Sequence, residues 1–557
     1  MAYPTQAPKK PKRTEAIQIY CMGNIKKYLQ ETTLHGFKYL ADSSLSNWEK
    51  LFFFAALLSC SVVVIHLISN IYARWDSTPV LIGISPHPIP IVNLPMPAIT
   101  LCNMNQALYS RVANYSKDSK EYAILRYLCF SDSMTVTDFE NSEEFKNNDI
   151  QISDFITQHA HPCSRMLLQC QIGSIVYNCS ELFREVLTDE GLCCSFNTLE
   201  PEFLFKGKFH ITKLIFPFFF SIYIWSYHII KALPRNSEFQ PVTWSPETGY
   251  QSNLPPKYYP HRTLGTGISM GITIFLNAEV DEYYCSSTSG PGFKLSLSSP
   301  IDMPQVKEVG VTVPLRSETR FRMDVIRSES ATAIRSIKRQ QRQCVFLNEI
   351  PLLYYKYYSK RHCENECQSA YLIRQCGCIP YHLPPIYSNA TFCTMKSSFC
   401  VERAQQRFSR ALTGSCLSRC MPSCFDLTFM PDAFSSSLTS RNYSIQSPLL
   451  ASMSREELSN IAVLHFYFRE SVIHSELKNV YIGLTEFLSN TGGILGLFMG
   501  FSFISVAEIV YFSVLRPVFK FVVPKKYRKS AHIRRVSENK NWLPDEITKA
   551  TRKSIQP

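Results

Sequence analysis

The stretch GGILGLFMGFSFISVAEIVYF, from Gly492 to Phe512, constrains this chain most: it is long enough to cross a bilayer, yet it carries four glycines, two serines and one carboxylate, Glu508. At about 100° per residue, Ser489, Gly493, Gly496, Gly500, Ile504 and Glu508 fall within an arc of roughly 120° on a helix. A small-residue face lets helix backbones approach closely in lipid, and an ionisable group at membrane depth is costly enough to demand a function. Ser502 stands roughly 200° from Gly500 on an ideal helix, so the two share one axis only if the helix is interrupted between them. Unwound backbone survives in a membrane where it lines a water-filled path, and its carbonyls then replace an ion's hydration shell. A plain packing face, with Glu508 reaching to the inner interface, satisfies the same spacing, so the stripe alone leaves pore and packing both open.

A first apolar run covers 51–72, broken only by Ser59, Ser61, His66, Ser69 and Asn70, and suffices for a tilted spanning helix. No cleavable signal precedes it; residues 1–50 hold eight Lys/Arg, and 516–557 hold twelve more, including Lys525, Lys526, Arg528 and Lys529. Both tails therefore read as cytoplasmic. Residues 73–480 then form one large extracellular domain, and 481–515 a second, pore-lining span, in a protein of the plasma membrane.

Cysteine usage agrees: of 20 cysteines, 18 lie between Cys102 and Cys424, where disulfides persist. The four glycosylation sequons, at Asn114, Asn178, Asn389 and Asn442, fall in the same loop. The formal net charge of +13 is largely carried by the two tails, as the positive-inside bias and anionic lipid require, so nucleic acid is not an expected partner and the bilayer is. Ten cysteines crowd the 81 residues from Cys344 to Cys424. Cys363 and Cys367, four apart in a turn-free polar stretch, can present both sulfurs on one helical face, and Cys376 and Cys378 flank a glycine that marks a turn. A zinc reading lacks a regular pair of CxxC pairs. The external histidines show no metal-binding spacing and nothing resembles a catalytic constellation, so neither an enzyme nor a cofactor is expected.

Several motifs in order carry a resemblance: LHG (Leu34 to Gly36), PAITLCNMN (Pro97 to Asn105), GLCCSFN (Gly191 to Asn197), GPGFK (Gly290 to Lys294), the cysteine ladder, and GLFMGFSFISVAEIVYF. Together they resemble the degenerin/epithelial sodium channel superfamily, and DEYYCSSTSGPGFK and SPETGY look most like its insect pickpocket branch. The resemblance implies a trimer, homomeric or heteromeric, in which each subunit contributes two transmembrane helices and a disulfide-rich, hand-shaped α+β ectodomain of palm, finger, knuckle and thumb. Similarity to the family's selectivity filter maps onto Gly500, Phe501 and Ser502, with the bulky Phe501 expected to turn from the axis and pack on the first span. Ser489 falls at the family's small-residue gating position, with Gly493 and Gly496 on the pore stripe; His35 and Gly36 match the cytoplasmic His-Gly pair, and Glu508 matches the acid at the inner end of the filter helix. Read without the family, His35-Gly36 is a helix-ending glycine beside a surface histidine. The disulfides implied are Cys102 with Cys193, Cys170 with Cys179, Cys344 with Cys424, Cys363 with Cys420, Cys367 with Cys416, Cys376 with Cys400, and Cys378 with Cys393. Cys129, Cys163, Cys194 and Cys285 stay unassigned.

The expected function is a sodium-selective, amiloride-sensitive, voltage-independent cation channel subunit of sensory or epithelial type, with Na⁺ as permeant ion. The alternative is a non-conducting accessory subunit or a cysteine-rich two-span receptor. An extracellular ligand or force opens such channels, and no feature here says which. One segment fits nothing around it: Leu214 to Ile230 reads LIFPFFFSIYIWSYHII, without Asp, Glu, Lys or Arg. A third crossing would contradict the cysteine and charge topology. A buried insertion within the hand is one reading; the preferred one is that most of residues 207–243 is a retained intron or gene-model error whose end protein sequence does not locate, because family-like sequence stops near Lys206 and resumes near Trp244 and Gly207-Lys208 can be encoded by an intron-start sequence.

Overall fold

A computed structural model describes residues 13–130, 145, 147–206, 239–387, 390–410, 416–438, 445 and 447–522. The chain divides into two units, one of residues 80–480 and one made from the two ends of the chain, 1–79 and 481–557.

The larger unit is built on two sheets. Its strands are β1 (Val80–Pro90), β2 (Ala98–Asn103), β3 (Leu167–Ile172), β4 (Ile175–Tyr177), β5 (Phe183–Thr188), β6 (Gly191–Phe196), β7 (Ile272–Asn277), β8 (Phe293–Ser298), β9 (Val311–Val313), β10 (Ser317–Ser330), β11 (Asp426–Ser437), β12 (Ile461–Phe468) and β13 (Val472–Val480). The eight-stranded sheet runs β1-β13-β10-β12-β7-β3-β4, with β11 added to β10, and the five-stranded sheet runs β9-β8-β2-β6-β5. Central strands such as β12 (IAVLHFYF) and β2 (AITLCN) are near-continuous apolar runs because both faces are covered. The main core joins the sheets through Ile99, Phe196, Phe293, Phe321 and Phe466, with the Phe321 and Phe466 rings stacked at 4.8 Å on neighbouring strands. β1 and β13 pair antiparallel from Val80↔Val480, so the chain enters and leaves this unit side by side.

Nine disulfides staple it. Cys363 and Cys367 lie on the helix Lys360–Cys376 and reach Cys420 and Cys416. That helix starts on the Ser359 hydroxyl, which accepts from His362 N, and stops at Gly377, whose φ of 74° is the left-handed conformation glycine adopts without strain. Cys376 and Cys378, on either side of that stop, bond Cys400 and Cys393. Cys102–Cys193, Cys170–Cys179 and Cys344–Cys424 are also closed. The four cysteines left unassigned pair as Cys129–Cys285 and Cys163–Cys194.

Residues 207–238 of the anomalous stretch lie outside the described residues, but its last five belong to the fold. Gln240-Pro241 pairs with Tyr258-Tyr259, and the Phe239 ring meets the His261 ring edge-on at 4.7 Å. Asn114 and Asn178 are exposed; Asn389, Asn442 and the basic tail from 523 lie outside the described residues.

The smaller unit contains helices Arg13–Glu31, Phe37–Ala41, Asn47–Ser77, Leu484–Met499, Phe503–Val510 and Arg516–Val522, with a π-helical turn at Tyr511–Leu515. The first apolar helix is longer than the expected 51–72 because Ser46 and Glu49 form a capping box that starts it a turn earlier. Among the described residues it is the one helix long and apolar enough to cross a membrane alone; Leu484–Met499 and Phe503–Phe519 pass that test only together, bent by 72°. Within the expected second span, 481–515, the chain forms two helices, Gly500 ending one and Ser502 beginning the other.

Candidate functional site

Gly500 caps the Leu484–Met499 helix in the left-handed region, at φ 64°, and its N–H still reaches Gly496 O at 2.9 Å. Phe501, half-buried, donates its N–H back to Leu495 O at 3.3 Å. The next helix starts immediately: the Ser502 hydroxyl accepts from Ser505 N at 3.3 Å while the Ser505 hydroxyl accepts from Ser502 N at 3.2 Å. The break is therefore capped from both sides, which answers the orphan backbone groups that helix ends leave. Ser489 and Gly493 are exposed and Gly496 is half-buried, and a Cβ on Gly492 or Gly493 would meet nothing within 4 Å.

The N-terminal segment Thr32 to Gly36 docks on this break. His35 N donates to Met499 O at 3.0 Å, taking one of the helix's last carbonyls, and a Cβ on Gly500 would lie 2.7 Å from His35 Cδ2. Gly500 is thus glycine for two reasons, backbone sign and the imidazole against it. Gly36 has φ 82° and would press a Cβ to 2.9 Å from Leu57 Cδ2 on the first apolar helix. Gly36 precedes the Phe37–Ala41 helix as its N-cap instead of ending a helix, and His35, although exposed, lays its ring against Gly500. Glu508 Oε2 accepts from Thr33 N at 3.0 Å and from the Thr32 and Thr33 hydroxyls at 3.2 Å each, and the Thr33 and Ser505 hydroxyls lie 3.0 Å apart. Tyr28 and Phe512 meet edge to face at 5.5 Å one layer further along. On the other flank, Trp75 and Phe487 tie the two apolar helices at 5.2 Å. The structure thus joins His35, Gly36, Gly500, Ser502 and Glu508 in one site and leaves Ser489 and Gly493 on an open face. Thr32, Thr33 and Ser505 escaped sequence reasoning; the hydroxyl run ETTLHG beside the histidine was their only signal. The described residues contain no group of three or more His, Cys, Asp or Glu side chains able to hold a metal.

The site therefore combines one helix long and apolar enough to cross a membrane with a capped break between two further apolar helices, in a chain that also carries a disulfide-stapled, β-rich domain. Comparison with known proteins names the family. The family described as amiloride-sensitive sodium channel matches residues 28–512, and the chain belongs to that family of ion channels, not to an enzyme family. Pickpocket protein 28 of Drosophila melanogaster is 35% identical over 526 residues, 93% of this chain and 81% of its own length. The sodium channel protein Nach of the same fly is 21% identical over 518 residues, 90% of this chain and 88% of its own. The epithelial sodium channel subunit gamma of Xenopus laevis is 24% identical over 258 residues, 44% of this chain and 38% of its own.

Proposed function

We propose that this chain is a pore-forming subunit of a sodium-selective, amiloride-sensitive, voltage-independent cation channel of the plasma membrane. The observation that carries the reading is the capped break at Gly500–Ser502, which presents non-helical backbone within an otherwise apolar element. Such backbone is tolerated at membrane depth where it lines a water-filled path. In this reading the broken pair is a second span, both tails are cytoplasmic, and related or identical chains meet around one axis through the open face of Ser489 and Gly493 as a trimer. Glu508, held by Thr32 and Thr33, fixes the segment below the break instead of lining the path by itself. The sequons Asn114 and Asn178, both exposed, are available for glycosylation in this topology. Voltage sensing has no support, since neither apolar element carries an Arg ladder.

The test is recording from cells expressing the chain alone and with related subunits, under sodium replacement and amiloride. Ser502→Phe should abolish the current or move its reversal potential while surface labelling persists. Unchanged conductance and reversal potential in that variant would remove Ser502 from the filter. Silence in every combination, with full surface expression, would favour the accessory-subunit reading.

A further inference from the structure

The sequon Asn178-Cys179-Ser180 has a cysteine at its middle position, and that cysteine is bonded to Cys170 at a sequence separation of 9. The two lie at the base of a local hairpin. β3 and β4 pair antiparallel as Cys170↔Tyr177, Gln171↔Val176 and Ile172↔Ile175, turning at Gly173, whose φ of 61° glycine adopts without strain. Asn178 follows β4 directly and caps the one-turn helix Cys179–Leu182: its Oδ1 accepts from Ser180 N at 3.2 Å and from the Ser180 hydroxyl at 3.0 Å. Asn178 and Ser180 are exposed, whereas Cys179 is buried and Cys170 fully so. In the finished fold the carboxamide and the hydroxyl that define the sequon are therefore bonded to each other, and the residue between them is anchored through its sulfur. An enzyme that transfers sugar to a sequon must engage that carboxamide and that hydroxyl together, on a segment free to enter its own site.

We infer that Asn178 is a glycosylation site under redox control: it accepts a glycan only while the Cys170–Cys179 disulfide is open, so the chain is made in two forms, with and without sugar there, a conclusion that rests on the extracellular reading of residues 73–480. In the transfer, Asn178 Nδ2 bonds the first sugar of a lipid-linked oligosaccharide diphosphate, the sugar–phosphate bond breaks, the lipid diphosphate leaves, and Nδ2 gives up one proton. In the competing step the two thiols are oxidised by exchange with a disulfide-carrying oxidoreductase of the secretory compartment, whose own disulfide is reduced to two thiols. The order of synthesis makes this a race. Cys170 precedes Asn178 in the chain and Cys179 follows it at once, so both thiols are present as soon as the sequon is complete. The 9 residues between the cysteines are added in roughly half a second to two seconds, a hairpin forms in about 1–10 μs, and disulfides close on a scale of seconds and longer. Both products fit the final fold, because the cap uses Oδ1 and leaves Nδ2 of an exposed side chain outside these hydrogen bonds. Asn114 is the contrast. Its sequon, Asn114-Tyr115-Ser116, contains no cysteine, and the flanking Cys102 and Cys129 pair at separations of 91 and 156 with partners synthesised much later.

The test is site occupancy at Asn178 and Asn114, read by glycopeptide mass spectrometry on newly made full-length chains from expressing cells. Cys170→Ser and Cys179→Ser each remove the disulfide and keep a sequon, and each should raise the ratio of glycosylated to bare Asn178 severalfold while Asn114 stays unchanged. Transfer takes place on the growing chain, so a variant that later misfolds still reports it. Wild-type chains made during a brief exposure of the cells to dithiothreitol should show the same rise. An Asn178 ratio that holds its wild-type value in both variants and under the reductant, beside a glycosylated Asn114, would overturn redox control alone. Bare Asn114 and bare Asn178 in every arm would overturn the extracellular reading and redox control together.

Discussion

Gly500 is the residue at which sequence and structure constrain each other most tightly. Alanine there meets the left-handed backbone, which costs about 1–2 kcal/mol, and its Cβ would press on His35. Gly500→Ala should therefore straighten or displace the break, and the check is loss of current with surface expression retained. Ser489, exposed on the outer helix, gives the opposite expectation. Under the proposed channel reading, in which copies converge on this face, a bulky side chain there strains the closed arrangement more than the open one, and about 1.4 kcal/mol of differential strain moves that equilibrium tenfold. Ser489→Phe should carry constitutive sodium current; a variant at the surface as silent as unstimulated wild type would refute the placement. Thr33 and Glu508 offer a cleaner measurement, since their contact joins positions 475 residues apart. A double-mutant cycle of Thr33→Ala with Glu508→Ala on the gating equilibrium should show coupling of about 1 kcal/mol, and strict additivity would dissolve the contact.

Among the elements, the short helix Ile152–His159 and the chain after it are tied to the turn following β7. His161, buried, bonds Glu279 Oε2 at 2.9 Å, and Arg165 reaches the same oxygen at 2.6 Å. Burial lowers the His161 pKa, Glu279 and Pro162 O partly restore it, and Arg165 opposes them. A histidine depressed in the folded state binds protons more readily when unfolded. Its contribution is therefore complete above the unfolded value of about 6.5 and is lost as pH falls from there through the folded value. Thermal unfolding of the full-length protein should drop between neutral and mildly acidic pH, and His161→Gln should flatten that drop. These ties also show why some pairings were illegible. The helical spacing of Cys363 and Cys367 is local and could be read directly, but Cys129 meets Cys285 across a separation of 156 residues, a partnership set only by how the elements pack. The interruption at Gly500–Ser502 was legible because it rests on angles within one helix. The docking of Thr32 and Thr33 on Glu508 was not, because no periodicity links the two ends of a chain.

For the whole molecule, the segregation of apolar runs and cysteines made two parts legible, a helix long and apolar enough to cross a membrane and a disulfide-stapled unit. The anomalous stretch is where that reasoning met its edge: Phe239 and Gln240 pack against His261 and Tyr258, contacts that composition does not encode. Sequencing mature transcripts across codons 195 to 255 decides its origin. A dominant transcript lacking most of the stretch is the expected result, and full-length transcript together with surface-expressed full-length protein would give the segment a structural role instead.

The site beneath the break is assembled from opposite ends of the chain, His35 on one side and Met499 on the other. Ribosomes add roughly 5–20 residues per second, so the His35 segment emerges on the order of half a minute to a minute and a half before the helix end it caps. Throughout synthesis its backbone groups are without their final partners, and any product terminated before Met499 carries that segment permanently unsatisfied. Completion of the chain is thus recorded in the same few hydrogen bonds that shape the break, and a quality-control system that recognises an undocked N-terminus would be reading the state of the far end.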